Sequence, residues 1–94
     1  MNAQAAYVAN LKPQLDTMRA AMREMDAQAE RAHVDVRARF KGQMGRLHDQ
    51  ARRAYALLHA LGSVDGDAWQ ELVVGMERMR DALHSSIRYF KSQF

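Results

Sequence analysis

"RFKGQMGRLH", residues 39–48, sets Gly42 and Gly45 three positions apart near the middle of a chain of 94 residues. Its reading decides the fold. If the glycines end a helix the chain is a three-helix bundle, and if a helix runs through them it is one long helix with a shorter one folded back. The apolar spacing chooses between the two. Val8, Leu11, Leu15, Met18, Met22, Met25, Ala29, Ala32, Val36, Phe40, Met44, Leu47, Ala51, Ala54, Leu58 and Leu61 follow one another at steps of three or four, the period of one helix face. The phase survives both glycines, which lie off the stripe. Each costs about 1 kcal/mol relative to alanine in an exposed helix, which packing along a long seam offsets. From Ala32 to Met44 the steps are all four, a stutter that relaxes left-handed supercoiling. The spacing therefore predicts a continuous, at most bent, helix over about residues 4–61.

The chain reverses later, at "HALGSVDGDAWQEL", residues 59–72. Gly62 suits a left-handed C-cap, Ser63, Asp65 and Asp67 suit N-caps, and Asp67 has Gln70 at capping-box spacing. A turn over 62–67 and a second helix over about 67–92 follow. Its stripe is Trp69, Leu72, Met76, Met79, Leu83, Ile87, Phe90 and Phe94. The fold expected is all-α, a long helical hairpin in a single domain over 1–94. Its helices, about 80 Å and about 40 Å long at about 1.5 Å per residue, do not match.

Unequal lengths predict a partner. Folded back from the turn, the second helix reaches about as far as Val34 to Val36, so Val8, Leu11, Leu15, Met18, Met22 and Met25 have nothing to pack against. At about 1.5–3 kcal/mol for each large apolar side chain buried, leaving them in water forgoes on the order of 10 kcal/mol. The expected remedy is a second copy laid antiparallel, giving a homodimer or homotetramer with those six residues as its interface, or else a partner helix.

Composition agrees with helix and narrows the chemistry. Pro13 is the single proline and glycines number five, while Ala, Leu, Met, Arg, Gln and Glu abound, the residues that favour helices. Cysteine is absent, which removes disulfides, thiolate metal sites and a Cys nucleophile. No apolar run is long enough for a membrane span and the first residues lack a signal-peptide pattern, so a cytoplasmic location is expected.

The residues also resemble a family. Tyr7 with "LKPQLDTM" after it, "QAERAHVDVRARF", and above all "AWQELVVGMERMRDAL" with the closing "YFKSQF" are similar to the small bacterial coiled-coil hairpin proteins linked to stress responses. In these an N-terminal tyrosine opens a long charged helix and a tryptophan starts the second. Trp69, Leu72, Gly75, Leu83 and the terminal phenylalanine carry the pattern, and Gly42, Gly45 and the central arginines depart from it. The resemblance implies a structural or interaction role and no catalytic residue.

The residues themselves point the same way. Met18, Met22, Met25, Met44, Met76 and Met79 could ligate copper(I), but a helix face places adaptable core methionines at the same spacing. Among His33, His48, His59 and His84 no HxxxH or HExxH occurs, although an antiparallel hairpin brings His48 and His84 to one height. Ser63, Ser85, Ser86 and Ser92 have no nucleophile-elbow context, and a thin hairpin offers little concavity for a substrate. No enzyme, metal or cofactor is expected.

Charge supplies the alternative. Residues 36–61 hold six basic groups and one acidic, against four and five in each flanking segment. Arg39, Arg46 and Arg53 recur every seven residues on one flank of the stripe, while Arg37, Lys41 and Arg52 lie on the other. Solvation, or pairing with Glu71, Glu77 and Asp81 of the returning helix or with a neighbouring chain, is one outcome. Contact with an anion, either nucleic acid or an acidic membrane surface, is the other.

Overall fold

Residues 31–33, not the glycines, are where the long apolar stripe is cut. The structure, a computed structural model, describes residues 3–93 and contains α1 (Ala3–Glu30), α2 (Val34–Leu61) and α3 (Gly66–Lys91), with no strand among the described residues. The chain is all-α, but the predicted helix over 4–61 is two helices. Gly42 and Gly45 sit inside α2 without interrupting it. Phe94, the last residue of the predicted second stripe, lies outside the described residues.

The connection is tight. The amides of Arg31 and Ala32 donate to Gln28 and Ala29 at 3.2 and 3.1 Å, the bonding of a narrowing last turn. His33 then swings to φ −57°, ψ 150°. Its ring Nδ1 accepts from the Asp35 amide at 3.5 Å and its carbonyl accepts from Arg37 at 2.8 Å, which starts α2. Asp35 in the first turn suits the positive end of the helix dipole.

Folding back at this point makes three helices of 28, 28 and 26 residues. Their lengths now match, and the molecule measures 50 × 20 × 18 Å. Cross-links fix the register. Tyr55 and His48 of α2 reach Asp16 and Asp26 of α1, so these helices run antiparallel. Phe40 meets Phe90 at 4.9 Å between ring centres, and a Cβ built on Gly75 would lie 3.6 Å from Leu57, so α2 and α3 are antiparallel too. α1 and α3 run parallel, with Tyr7 edge-on to Trp69 at 5.7 Å.

The predicted stripes form the core, while the use made of the N-terminal seam is corrected. Leu11, Leu15, Met22 and Met25 are buried, and Val8 and Met18 are half-buried against them. The chain's own α2 and α3 cover the surface assigned to a second copy. Energy explains the difference. A break sacrifices about four helical hydrogen bonds, each about 0.5–1.5 kcal/mol net, and it recovers the burial worth on the order of 10 kcal/mol that a straight helix forgoes.

The second turn also departs from its predicted caps. Gly62 is right-handed at φ −73°, and Asp65 stands at the N-cap without a side-chain bond. Ser63 turns back to accept no amide and donates to the Ala60 carbonyl. The left-handed position falls instead to Gly66, φ +70°, which glycine adopts without the Cβ penalty. No helix among the described residues is long and apolar enough to cross a membrane.

Candidate functional site

Because α2 lies against both other helices, its two flanks become two grooves. Residues 37, 41, 48, 52 and 55 face α1, whereas 43, 46, 50 and 53 face α3, and the heptad period separates them. The arginine cluster is divided accordingly.

Acids meet the cations on the α1 side. Arg37 and Lys41 share a depression with Asp26, Glu30 and His48, and His48 Nε2 lies 2.9 Å from Asp26 Oδ2. Arg52 is ion-paired with Asp49. The Tyr55 hydroxyl donates to Asp16 at 2.5 Å, while the Arg19 guanidinium stacks 4.9 Å from the Tyr55 ring centre. Burial, and then this bond, push the Tyr55 phenol up to about 12. The same bond, with Lys12 beside it, holds the Asp16 carboxyl below its ordinary value. At the open end of the bundle Tyr7 is raised in the same sense, by burial first and by Glu77 second.

Nothing comparable occupies the α3 side. A cleft of about 390 Å³ is lined by Gln43, Arg46, Leu47 and Gln50 of α2 and by Ser85, Ser86, Tyr89 and Phe90 of α3. It continues past Arg53, Met79 and Ala82. The α1 side has depressions of about 270 and 470 Å³, so size does not distinguish the two. Acidity does: Asp26 and Glu30 line the smaller α1-side depression, and Asp16 and Asp49 bind Tyr55 and Arg52 at the larger, whose own lining holds no carboxylate. Among the described residues no carboxylate lines, or binds a cation of, the α3-side cleft or its continuation. The predicted pairing with α3 acids is not made. Asp81 instead bonds Arg80, Glu77 accepts from Tyr7, and no ion pair joins Arg39, Arg46 or Arg53 to Glu71, Glu77 or Asp81.

Two further features mark this groove. The Oε1 atoms of Gln43 and Gln50 are out of contact with solvent and accept no hydrogen bond, a cost of about 1–3 kcal/mol for each fully desolvated group. In addition, Met79 and Tyr89, which line it, are among the few large apolar side chains left 36% or more exposed. Sequence reasoning missed Gln43, Gln50, Ser85, Ser86 and Tyr89. The two glutamines were within reach of it, since 39, 43, 46, 50 and 53 form one row of alternating Arg and Gln.

The remaining candidates fall elsewhere. Met22, Met25, Met44 and Met76 are core, Met18 is half-buried and Met79 is exposed. His48 turns to Asp26 instead of toward His84, and no group of three or more His, Asp or Glu that could hold a metal occurs among the described residues. Compared with known proteins, the chain matches no family model, no curated protein and no solved structure.

Proposed function

We propose that the protein is a non-enzymatic helical interaction module whose working surface is the groove between α2 and α3, where it docks an anionic partner. One observation carries this reading. Arg46 and Arg53 line a cleft that holds no carboxylate among the described residues, and Arg39 lies one heptad further along the same row, while the cations of the opposite flank have acids next to them. Exposed arginines at unpaired positions are favourable contacts for carboxylate or phosphate, to which a guanidinium can donate two parallel hydrogen bonds. Self-association through the N-terminal seam has lost its driving force, since that seam is filled within the chain.

A protein surface fits better than nucleic acid. The cations are split between two sides of the bundle, and of the two aromatic residues lining the groove Phe90 is buried and Tyr89 is exposed, where single-stranded nucleic acid is gripped by several stacked bases. The test is retention on immobilised polyglutamate at about 50 and about 200 mM salt. The parent protein should be retained at low salt, and Arg39→Gln with Arg46→Gln and Arg53→Gln should abolish retention while leaving the melting temperature unchanged. A parent protein that ignores polyglutamate and DNA alike at low salt would sink the reading.

A further inference from the structure

We infer that the occupant of the α2/α3 groove is an amphipathic α-helix from a partner protein, with acidic residues repeating every seven positions, which packs as the fourth helix of a bundle. The inference rests on the docking reading above and specifies the partner's chemistry. Charge complementarity comes first. Arg39, Arg46 and Arg53 are spaced by seven residues, about 10.5 Å along the axis, and a helix carrying Glu or Asp at the same period presents its carboxylates at the same interval. Duplex DNA carries a charge about every 1.7 Å of axis, far denser than this row can match.

The groove walls favour a helix over an extended peptide. A strand gains affinity by pairing its main chain with an exposed edge, but α2 and α3 have already spent their amides and carbonyls on their own ladders. A helix brings its own hydrogen bonds and needs only a close, shaped trough. Ala82 and Ser86 are small and flank the trough on the α3 side, while the half-exposed Met79 and Tyr89 stand at either end as apolar anchors.

The experiment uses the full chain and a labelled synthetic peptide of about four heptads with leucine at a and d and glutamate at every g position. A peptide with lysine in place of each glutamate, and a single-stranded oligonucleotide, serve as comparisons. The acidic peptide should bind, gaining helicity by circular dichroism. Its affinity should fall by at least about tenfold with Arg39→Gln, Arg46→Gln and Arg53→Gln together, and equally with Ala82→Trp, which fills the trough and keeps every charge. Ser86→Trp serves if Ala82→Trp does not fold. Arg37→Gln with Lys41→Gln, on the α1 side, should change little. Acidic-peptide binding that is insensitive to the tryptophan, or an oligonucleotide bound more tightly than the peptide, overturns the helix and leaves the docking reading standing. A chain that binds neither probe overturns both. A concentration-dependent mass that the tryptophan abolishes would make a second copy the occupant and overturn the partner helix.

Discussion

The two flanks of α2 come from one helix with one composition, yet they end in opposite states. Toward α1 the interface is stitched by Tyr55 to Asp16, His48 to Asp26 and Arg19 over the Tyr55 ring. Toward α3 no side-chain to side-chain hydrogen bond or ion pair is made among the described residues, and contact is apolar, through Phe40 with Phe90 and Leu57 beside Gly75. The arginines do not cause the difference, for both flanks have them. It comes from the facing helix, since α1 turns Asp16, Asp26 and Glu30 toward α2 while α3 turns Met79, Ala82 and Ser86. One flank is closed within the chain by hydrogen bonds and ion pairs, and the other by apolar contact.

The largest expected effect tests the finished side. Met22 is fully buried between the helices, so Met22→Asp places a charge where nothing can pair with it. It should cost more than about 4 kcal/mol and unfold the chain. Circular dichroism and solution mass separate this from the alternative of a dissociated assembly. A helical, folded monomer for this variant would mean that α1 does not pack as described.

A smaller effect is expected from cutting one stitch. Tyr55→Phe keeps the ring under Arg19 and removes the bond to Asp16, and it should lower the melting temperature by on the order of 5 °C near neutral pH. The pH dependence has a definite sign. A phenol raised from about 10 to about 12 in the fold stabilises fully below pH about 10, and that contribution is lost as pH rises through about 12. The Asp16 carboxyl is lowered, so its contribution is present above the ordinary carboxylate pKa and is lost as pH falls below it. The gap between parent and variant should therefore be widest between those limits and close at the alkaline end. A gap that persists beyond pH about 12 would exclude the hydrogen bond as its source.

How much of this was legible in the sequence follows from what a stripe encodes. Spacing identified the buried face of every helix, because the 3.6-residue period is local and the core residues from Leu11 to Leu61 obey it. The break at 31–33 was invisible for two physical reasons. Arg31, Ala32 and His33 include neither glycine nor proline, and histidine is not among the usual N-cap residues. Phase also continues across the connection, so counting threes and fours could not detect a reversal. The burial argument did sense it: six uncovered side chains demanded a cover, and the cover proved to be the same chain. The division of the arginines into two flanks was legible for the same reason as the stripe. Which flank would meet acids was not, since that depends on the register set by the hidden turn.

The next test stiffens the helix that separates the flanks. A Cβ on Gly42 or Gly45 meets nothing within 4 Å, and neither has a positive φ. Gly42→Ala and Gly45→Ala should each add about 0.5–1 kcal/mol by restricting the unfolded chain. Denaturant midpoints check this, and a loss in the double variant would mean that α2 bends at this point in solution.

The smallest effect is also the sharpest comparison, because its sign should oppose that of Tyr55→Phe. Gln50 carries a desolvated Oε1 with no partner on the α3 flank, so Gln50→Met removes a polar atom that nothing satisfies while keeping the length of the side chain. Exchanging an unsatisfied amide for a thioether of similar shape is neutral or favourable, with a gain of up to about 1 kcal/mol. Equilibrium unfolding of the free protein measures it, and the acidic peptide then asks whether the lost acceptor matters in the complex. A stable free protein with unchanged peptide binding is the expected pair of results, since an acceptor shut off from solvent is shut off from the incoming helix as well. If the free protein loses more than about 1 kcal/mol instead, Gln50 has a partner within the chain, and the α3 flank is as finished as the flank toward α1.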